Sequence, residues 1–226
     1  MKIVVNHLTR MERGYVCVAG INASTESHVR PVTPGRRLSI AIADVRGGPF
    51  GVRNVVELGE VRPCGAPPLV EDVEFQPAHA KSLGRLQKAA FWKLLHKSAR
   101  SRLKDIFGDD LEAVGSNLAT LPGKGAGSLG CLLPSGRPLL WVNNFGKARL
   151  QVDDVDGRYD LSVTDLRLHC PEDSTPDFDA VNALQGQLHA GAACILSMGL
   201  TKSWTKPGDS HARHWLQVNG IHIKGE

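Results

Sequence analysis

Cationic, aromatic and amide side chains are concentrated near the end of the sequence, in the segment TKSWTKPGDSHARHWLQVNG at residues 201–220. Lysine and arginine pair with phosphates, tryptophan stacks on nucleic-acid bases, and side-chain amides hydrogen-bond to base edges. The candidate ligand-contacting residues of this segment are Lys202, Trp204, Lys206, Arg213, His214, Trp215, Gln217 and Asn219. Together these residue types predict a surface that binds a polyanion carrying aromatic bases.

The end of this segment has the alternation of a β-strand. Side chains on a strand alternate between two faces, so Gln217 and Asn219 are expected to share the face opposite Leu216 and Val218. If that face is open, both amides can reach a ligand. The alternative is that Trp215 belongs to the core and the amides only contact water. Trp204 is the better candidate for exposure, because it stands between two lysines and beside a Pro-Gly turn.

A second cationic group surrounds the proline-rich turn RPVTPGRR at residues 30–37. The guanidinium groups of Arg30, Arg36 and Arg37 suit bidentate contacts with phosphate, and a rigid turn would hold them in place. They are equally compatible with ordinary surface charge. The segment WVNNFGK at residues 141–147 predicts a hairpin turn; alternatively, it is a loop that presents Phe145 and Lys147 to the same ligand.

A catalytic interpretation is the main alternative. His211 or His214 with Lys202 could supply the acid and base of a nuclease or another nucleic-acid-modifying enzyme. The sequence has no nucleophile elbow, paired-carboxylate signature or Cys-x-x-Cys motif, so we assign no catalytic residue in the favoured interpretation. The spacing of His211 and His214 defines no zinc site, and we expect neither metal nor cofactor.

Composition and charge narrow the class of protein. The formal net charge is +4, and the excess of Lys and Arg lies in the first half of the chain. This charge is compatible with an anionic partner. No run approaches the about 20 apolar residues of a membrane helix, and MKIVVNHLTR is too short an apolar start for a secretory signal. Five dispersed cysteines argue against a disulfide framework, so we expect a cytoplasmic protein.

Short runs rich in Val and Ile predict strands over most of the first 75 residues. Apolar residues near helical spacing predict a basic helix from Ser82 to Phe107, whose charged face is either solvated or in contact with phosphates. The Gly-rich stretch at residues 120–130 lacks the spacing of a phosphate-binding loop and is interpreted as a linker. The second half is predicted as β-β-β-α-β-β, with Asp177 capping the helix and Gly191 ending it. This is the order of an oligonucleotide/oligosaccharide-binding (OB) barrel.

Two stretches resemble a known family. CVAGINASTESHVRPVTPG at residues 17–35 and LSMGLTKSW with HWLQVNGIH between residues 196 and 222 are similar to the N-terminal and C-terminal signatures of the dual OB-containing domain family. The resemblance implies two tandem barrels and binding of nucleic acid, without an established reaction. We therefore predict a mainly β protein with two tandem OB-like barrels and a basic connecting helix. The expected division is residues 1–76 for the first barrel, 77–127 for a helical connector and linker, and 128–226 for the second barrel.

The favoured function is binding of single-stranded or structured DNA or RNA in a basic groove with aromatic stacking. A protein–protein adaptor, whose loops contact a partner chain, is the third possibility. The nucleic-acid interpretation requires the arginines around residue 30 and the cations around Trp204 to come together in the folded chain.

Overall fold

The computed structural model describes residues 1–226 and shows two β-sheets with helices between and beside them. The first sheet is formed by β1 (Lys2–Arg10), β2 (Tyr15–Asn22), β3 (His28–Val32), β4 (Leu38–Ser39), β5 (Asn54–Glu57), β6 (Val61–Pro63), β7 (Asp72–Phe75) and β8 (Lys81–Arg85). The remaining elements are α1 (Lys88–Ser98), β9 (Ala99–Arg100), α2 (Lys104–Phe107), β10 (Glu112–Val114), β11 (Asn117–Thr120), β12 (Leu129–Leu132), β13 (Leu139–Val142), β14 (Ala148–Asp153), β15 (Arg158–Val163), α3 (Phe178–His189), β16 (Cys194–Leu200) and β17 (His214–Ile223). The prediction of a mainly β fold is confirmed.

The first sheet has the strand order of an OB barrel. Its strands follow the order β6-β7-β3-β2-β1-β5-β8, with β3 and β7 parallel and β4 paired to β2. Only residues 58–60 separate β5 from β6, so the two segments form one bent strand. This strand pairs with β1 through β5 and with β7 through β6. The series β1, β2, β3, β5–β6 and β7 therefore closes on itself, which leaves few unpaired edges.

The second sheet repeats this arrangement. Its order is β13-β14-β15-β17-β16-β12-β9, with β15 and β17 parallel. Residues 133–138 connect β12 to β13, so these segments form the first barrel strand; β14, β15, β16 and β17 are the second to fifth strands. As predicted, α3 lies between the third and fourth strands. Asp177 accepts a hydrogen bond from the Ala180 N–H at its start, and Gly191 has φ +84° just after its end.

The basic helix is shorter than predicted. Ser82, expected to begin the helix, lies in β8, where Ser82 pairs with Val56 and Arg85 pairs with Asn54. Residues 81–85 form a strand, although the apolar residues of the predicted helix lie near helical spacing. The edge of β5 needs partners for its N–H and C=O groups, and these residues supply them. Residues 77–127 therefore contain β8 to β11 as well as α1 and α2. The division of the chain at residues 76 and 127 stays a prediction.

The two barrels share a buried seam between β1 and β17. His222 Nε2 lies 3.0 Å from the Asn6 carbonyl oxygen and 2.9 Å from Ser197 Oγ, and Asn6 Nδ2 donates to the same hydroxyl at 3.2 Å. Phe91 of α1 packs edge-on against His222 and, with Leu95, joins the apolar core of the first barrel. The seam and α1 hold the barrels together.

The Gly-rich segment before β12 binds a side chain of the first barrel. The Glu71 carboxylate accepts hydrogen bonds from the backbone N–H groups of Ser128 and Leu129 at 2.8 and 3.1 Å, and from the Ser128 hydroxyl at 2.6 Å. These donors are the groups that a phosphate would need, and they are already bound to the carboxylate of Glu71. None of the helices is long and apolar enough to span a membrane.

Candidate nucleic-acid interface

The loop between β16 and β17 is held as an extension of its two strands. Trp204 and Arg213 exchange N–H···O=C bonds of 3.1 Å in both directions, and the Thr201 N–H donates to the Trp215 carbonyl at 3.0 Å. This pairing fixes the backbone of Trp204 while leaving its indole 45% exposed. The loop therefore presents an exposed aromatic side chain from a fixed backbone, as expected from the Pro-Gly turn beside it.

Trp215 does not face a ligand, contrary to its place among the candidate site residues. Its side chain is buried, its indole N–H donates to the Trp204 carbonyl at 3.3 Å, and Lys206 Nζ lies 3.4 Å from the ring centre. Burial and the charge of Arg149 lower the pKa of Lys206. Lys206 therefore packs on an indole and is only partly available to a phosphate.

Arg213 supports the same loop. Its guanidinium Nε lies 3.2 Å from Asp209 Oδ2, and the other oxygen of Asp209 accepts the His211 N–H at 3.2 Å. Hydrogen bonding from His211 and Arg213 lowers the pKa of Asp209. Arg213 is thus neutralised in part, and it shapes the loop that carries Trp204.

The histidines of this segment do not form a catalytic pair with Lys202. His214 is buried on β17, and its Nδ1 lies 2.7 Å from the Thr201 carbonyl oxygen. His211 and Lys202 are exposed, and no hydrogen bond joins any two of these three side chains. The burial of His214 corrects its assignment as a nucleic-acid contact; the catalytic alternative stays a prediction that no contact supports.

A β-bulge at Asn219 gives this residue different surroundings from Gln217. The register with β16 shifts between Ser197 and Met198, which leaves Asn219 without a partner residue. Asn219 is buried, its Oδ1 accepts from the Thr164 hydroxyl at 3.2 Å, and its amide lies over Gly199. The expectation of an open amide at Asn219 is therefore wrong, because the bulge turns it into the barrel seam.

Gln217 instead joins a polar strip across the outside of the second barrel. It pairs in register with Ser162 of β15, which pairs with Arg149 of β14. Arg149 donates from Nη1 to Ser162 Oγ at 2.6 Å and from Nε to Asp160 at 2.8 Å. Arg149 and Ser162 were not identified from the sequence, although the alternation in ARLQVD at residues 148–153 is a signal for outward-facing Arg149.

A second aromatic side chain lies at the other end of this strip. Asn143 Oδ1 accepts the N–H groups of Phe145 and Lys147, both at 3.0 Å, in the turn between β13 and β14. Gly146 completes the turn with φ +64°. The turn was predicted, and it leaves Phe145 86% exposed.

The positions of the two loops follow from the strand directions. The Phe145 turn precedes β14, the Trp204 loop precedes β17, and β14 runs antiparallel to β15 while β17 runs parallel to it. The two loops therefore lie at opposite ends of the strip. We call Phe145, Arg149, Ser162, Trp204 and Gln217 the flanked face.

The arginines of the first barrel are only partly brought to this region. Arg30 is 6% exposed, and its Nε lies 2.5 Å from Asp72 because β3 and β7 pair in parallel with Arg30 opposite Asp72. The expected phosphate contact at Arg30 is thus wrong. Burial raises the pKa of the Cys17 thiol, whereas the charges of Arg30 and Lys202 lower it.

Arg36 and Arg37 remain exposed on the turn after β3. The Arg37 guanidinium lies 5.7 Å from the ring centre of Tyr15. No hydrogen bond or ion pair joins either arginine to the second barrel. No contact places these two residues and the flanked face in one groove.

Comparisons with known proteins identify a family. A family model described as "Dual OB-containing domain" matches residues 1–221. No curated protein matches the sequence significantly. Among solved structures, the HINa domain of Ifi202 in complex with 20-base-pair double-stranded DNA is similar with a TM-score of 0.36 and 10% identity, over 100% of this chain and 95% of that chain. A murine DNA-binding protein bound to double-stranded DNA has a TM-score of 0.31 and 7% identity, over 99% and 96% of the two chains. At this similarity neither structure identifies the function of this chain.

Proposed function

The chain belongs to the dual OB-containing domain family, and on this premise and the geometry of its second barrel we propose that it binds single-stranded DNA or RNA on the flanked face. The observation that carries the proposal is the pair of exposed aromatic side chains, Phe145 and Trp204, at the two ends of a polar strip.

The position of these residues in the barrel supports the proposal. OB barrels bind oligonucleotides on their second and third strands and on the loops between strands one and two and strands four and five. Here β14 and β15 are the second and third strands. Phe145 lies on the first of those loops and Trp204 on the second, so both lie where an OB ligand lies.

The polar groups of the face suit a nucleotide chain. Lys147 and Lys202 are exposed and take part in no ion pair, so both can meet phosphates. Arg149 and Gln217 have the donors that base edges and phosphates accept. With few free cations, we expect a shallow salt dependence, with a slope of log K against log salt of about −1 to −2.

Single strands fit this face better than a duplex. An aromatic ring needs the flat face of an unstacked base, which single strands offer and an intact helix does not. The two rings stand apart at either end of the strip, so a strand crossing it can stack one base on each. The residues between them then contact the backbone and base edges of the intervening nucleotides.

Fluorescence anisotropy with labelled single-stranded DNA, single-stranded RNA and duplex DNA tests the proposal. We expect Phe145→Ala and Trp204→Ala each to weaken single-strand binding by about tenfold, since a stacked base contributes ~1–3 kcal/mol. Phe178→Ala is the matched control, because Phe178 is 59% exposed on α3 and is not part of the flanked face. Equal losses in all three variants, or tighter binding of the duplex, contradict the proposal.

Arg36 and Arg37 are proposed as a separate phosphate contact for longer strands. Because they are exposed on the first barrel, a strand that reaches them must extend beyond the flanked face. We expect the double variant Arg36→Gln/Arg37→Gln to weaken binding of long oligonucleotides and to leave short ones unaffected. Equal effects at both lengths contradict this extension.

A further inference from the structure

A cleft of about 120 Å³ lies between the first barrel, α1 and β17, and none of its residues belongs to the flanked face. Apolar side chains, among them Phe91 and Trp92, form part of its wall. Its ionisable lining residues are Arg53, Arg85, Lys88, Arg167, His222 and Glu226. Arg167 is paired with Asp165 at 2.6 Å, so Arg53, Arg85 and Lys88 are the cations that leave the lining with a net positive charge.

Two of the cations, Arg53 and Arg85, are held next to this cleft by backbone carbonyl groups. Arg53 Nε donates to the Leu86 carbonyl at 3.1 Å, and Arg85 Nε donates to the Val52 carbonyl at 3.3 Å. Arg53 has no ion pair, and the contact of Arg85 with Asp44 is long at 3.4 Å. Burial and the charge of Arg85 lower the pKa of Arg53. An anion between these guanidinium groups would relieve their repulsion.

The first turn of α1 begins at the cleft. Lys88 is both the first residue of the helix and part of the cleft lining. Gln87 provides no side-chain cap, and the first turn contains no acidic residue. The first helical bond runs from the Phe91 N–H, so the N–H groups of Lys88, Ala89 and Ala90 have no acceptor. A helix start of this kind attracts negative charge.

His222 contributes an acceptor atom without a protein partner to the lining of the cleft. His222 is 4% exposed and lines the cleft. Its Nε2 lies 3.0 Å from the Asn6 carbonyl oxygen, which can only accept, so Nε2 carries the proton and Nδ1 is an acceptor. Nδ1 has no partner in the structure. Burial and the charge of Arg167 lower the pKa of His222 to about 3, so the ring is neutral near pH 7.

We propose that this cleft binds a phosphate group on the side chains of Arg53, Arg85 and Lys88, at the start of α1, in a ligand that also donates a hydrogen bond to His222 Nδ1. A phosphate monoester next to a hydroxyl or amino group has this chemistry. Either a free nucleotide or the phosphorylated end of a nucleic acid can supply it. The site does not depend on the function proposed for the flanked face.

Calorimetric titration with adenosine 5′-monophosphate, inorganic phosphate and adenosine tests the site. We expect the nucleotide to bind more tightly than phosphate and adenosine to give no heat. Lys88→Gln should weaken nucleotide binding by about tenfold, as expected for the loss of one charge-assisted hydrogen bond. Lys93→Gln is the matched control, because Lys93 is exposed on the same helix and lies outside the cleft. Absent binding, or equal loss in Lys93→Gln, overturns the proposal.

A spectroscopic readout identifies the histidine contact. Long-range ¹H–¹⁵N spectra should show a shift of the His222 Nδ1 resonance on addition of the nucleotide, and in Lys88→Gln the same shift should require about tenfold more nucleotide. An unchanged Nδ1 resonance at saturation overturns the assignment. Oligonucleotides with and without a 5′-phosphate separate the two sources: a Lys88-dependent preference for the phosphorylated strand points to a nucleic-acid end, and its absence alongside nucleotide binding points to a free ligand. Both Phe145→Ala and Trp204→Ala should leave nucleotide binding unchanged.

Discussion

Lys206 Nζ lies 3.4 Å from the centre of the Trp215 indole ring. This contact distinguishes Trp215 from Trp204, and the two tryptophans have different roles. Trp215 is covered on that face by the lysine and donates its indole N–H to the Trp204 carbonyl. Trp204, whose ring centre is 6.3 Å from that of Trp215, stays on the surface. One tryptophan therefore supports the loop and the other is available for stacking.

Replacing the supporting tryptophan should cost stability. We expect Trp215→Ala to lower the free energy of unfolding by about 3–5 kcal/mol, since it empties a buried site. Lys206→Met removes only the cation–π contact and should cost about 0.5–1 kcal/mol. Urea unfolding measures both. A Trp215→Ala variant of unchanged stability would show that this ring does not support the barrel.

Arg30 should behave as a structural residue. Arg30→Gln leaves Asp72 unpaired in a buried site, which we expect to cost about 3–5 kcal/mol of unfolding free energy. Arg37→Gln, on the exposed side of the same turn, should leave stability unchanged. The salt dependence of nucleic-acid binding should be the same for Arg30→Gln as for the natural chain under conditions where both are folded. Normal stability combined with a shallower salt slope would restore the phosphate role.

The seam between the barrels should make the fold sensitive to acid. Burial lowers the pKa of His7 well below its ordinary value, that of His28 to about 4 and that of His222 to about 3. The unfolded chain then binds more protons than the folded chain between these values and about 6.5. The free energy of unfolding should be flat above pH 7 and fall below 6.5, by up to about 1.4 kcal/mol per pH unit for each such histidine.

Urea unfolding between pH 4.5 and 7.5 measures this dependence. His28→Gln should make the decline less steep, whereas His96→Gln, at an exposed position of α1, should not change it. Equal stability at pH 5 and pH 7.5 would show that these histidines titrate alike in the folded and unfolded chains.

Gly199 should not tolerate a side chain, because a Cβ there would lie 2.0 Å from Asn219 Nδ2. We expect Gly199→Ala to destabilise the protein by about 1–3 kcal/mol. Asn219→Ala removes the clashing amide, so the double variant should lose less than the sum of the two single losses. Gly186→Ala on α3 is the control: a Cβ there meets nothing within 4 Å, and alanine should raise stability by about 0.5–1 kcal/mol. Additive losses at residues 199 and 219 would exclude the contact.

Features stabilised by local hydrogen bonds could be predicted from the sequence. Asp177 caps α3, Gly191 follows its end, and Asn143 closes the turn that carries Phe145; each depends on residues close together in the chain. The order of strands in the second half likewise identified the OB arrangement. Exposure of Trp204 followed from the Pro-Gly turn beside it.

The errors concern partners that are distant in sequence. Arg30 meets Asp72 only because β3 and β7 become parallel neighbours, and β8 forms only because β5 offers an edge. The bulge that buries Asn219 depends on the register between β16 and β17. Local periodicity contains no information about such pairings. Which cationic side chains are buried and which are exposed could therefore be learned only from the folded structure.

Ultraviolet cross-linking of the chain to a uniformly labelled single-stranded oligonucleotide, followed by mass spectrometry of the peptides, tests the central claim most directly. If the flanked face binds the strand, the cross-linked peptides contain Phe145 and Trp204, and excess unlabelled single strand removes both. Cross-links confined to the turn at residues 36–37 or to α1, with none at residues 145 or 204, would contradict it.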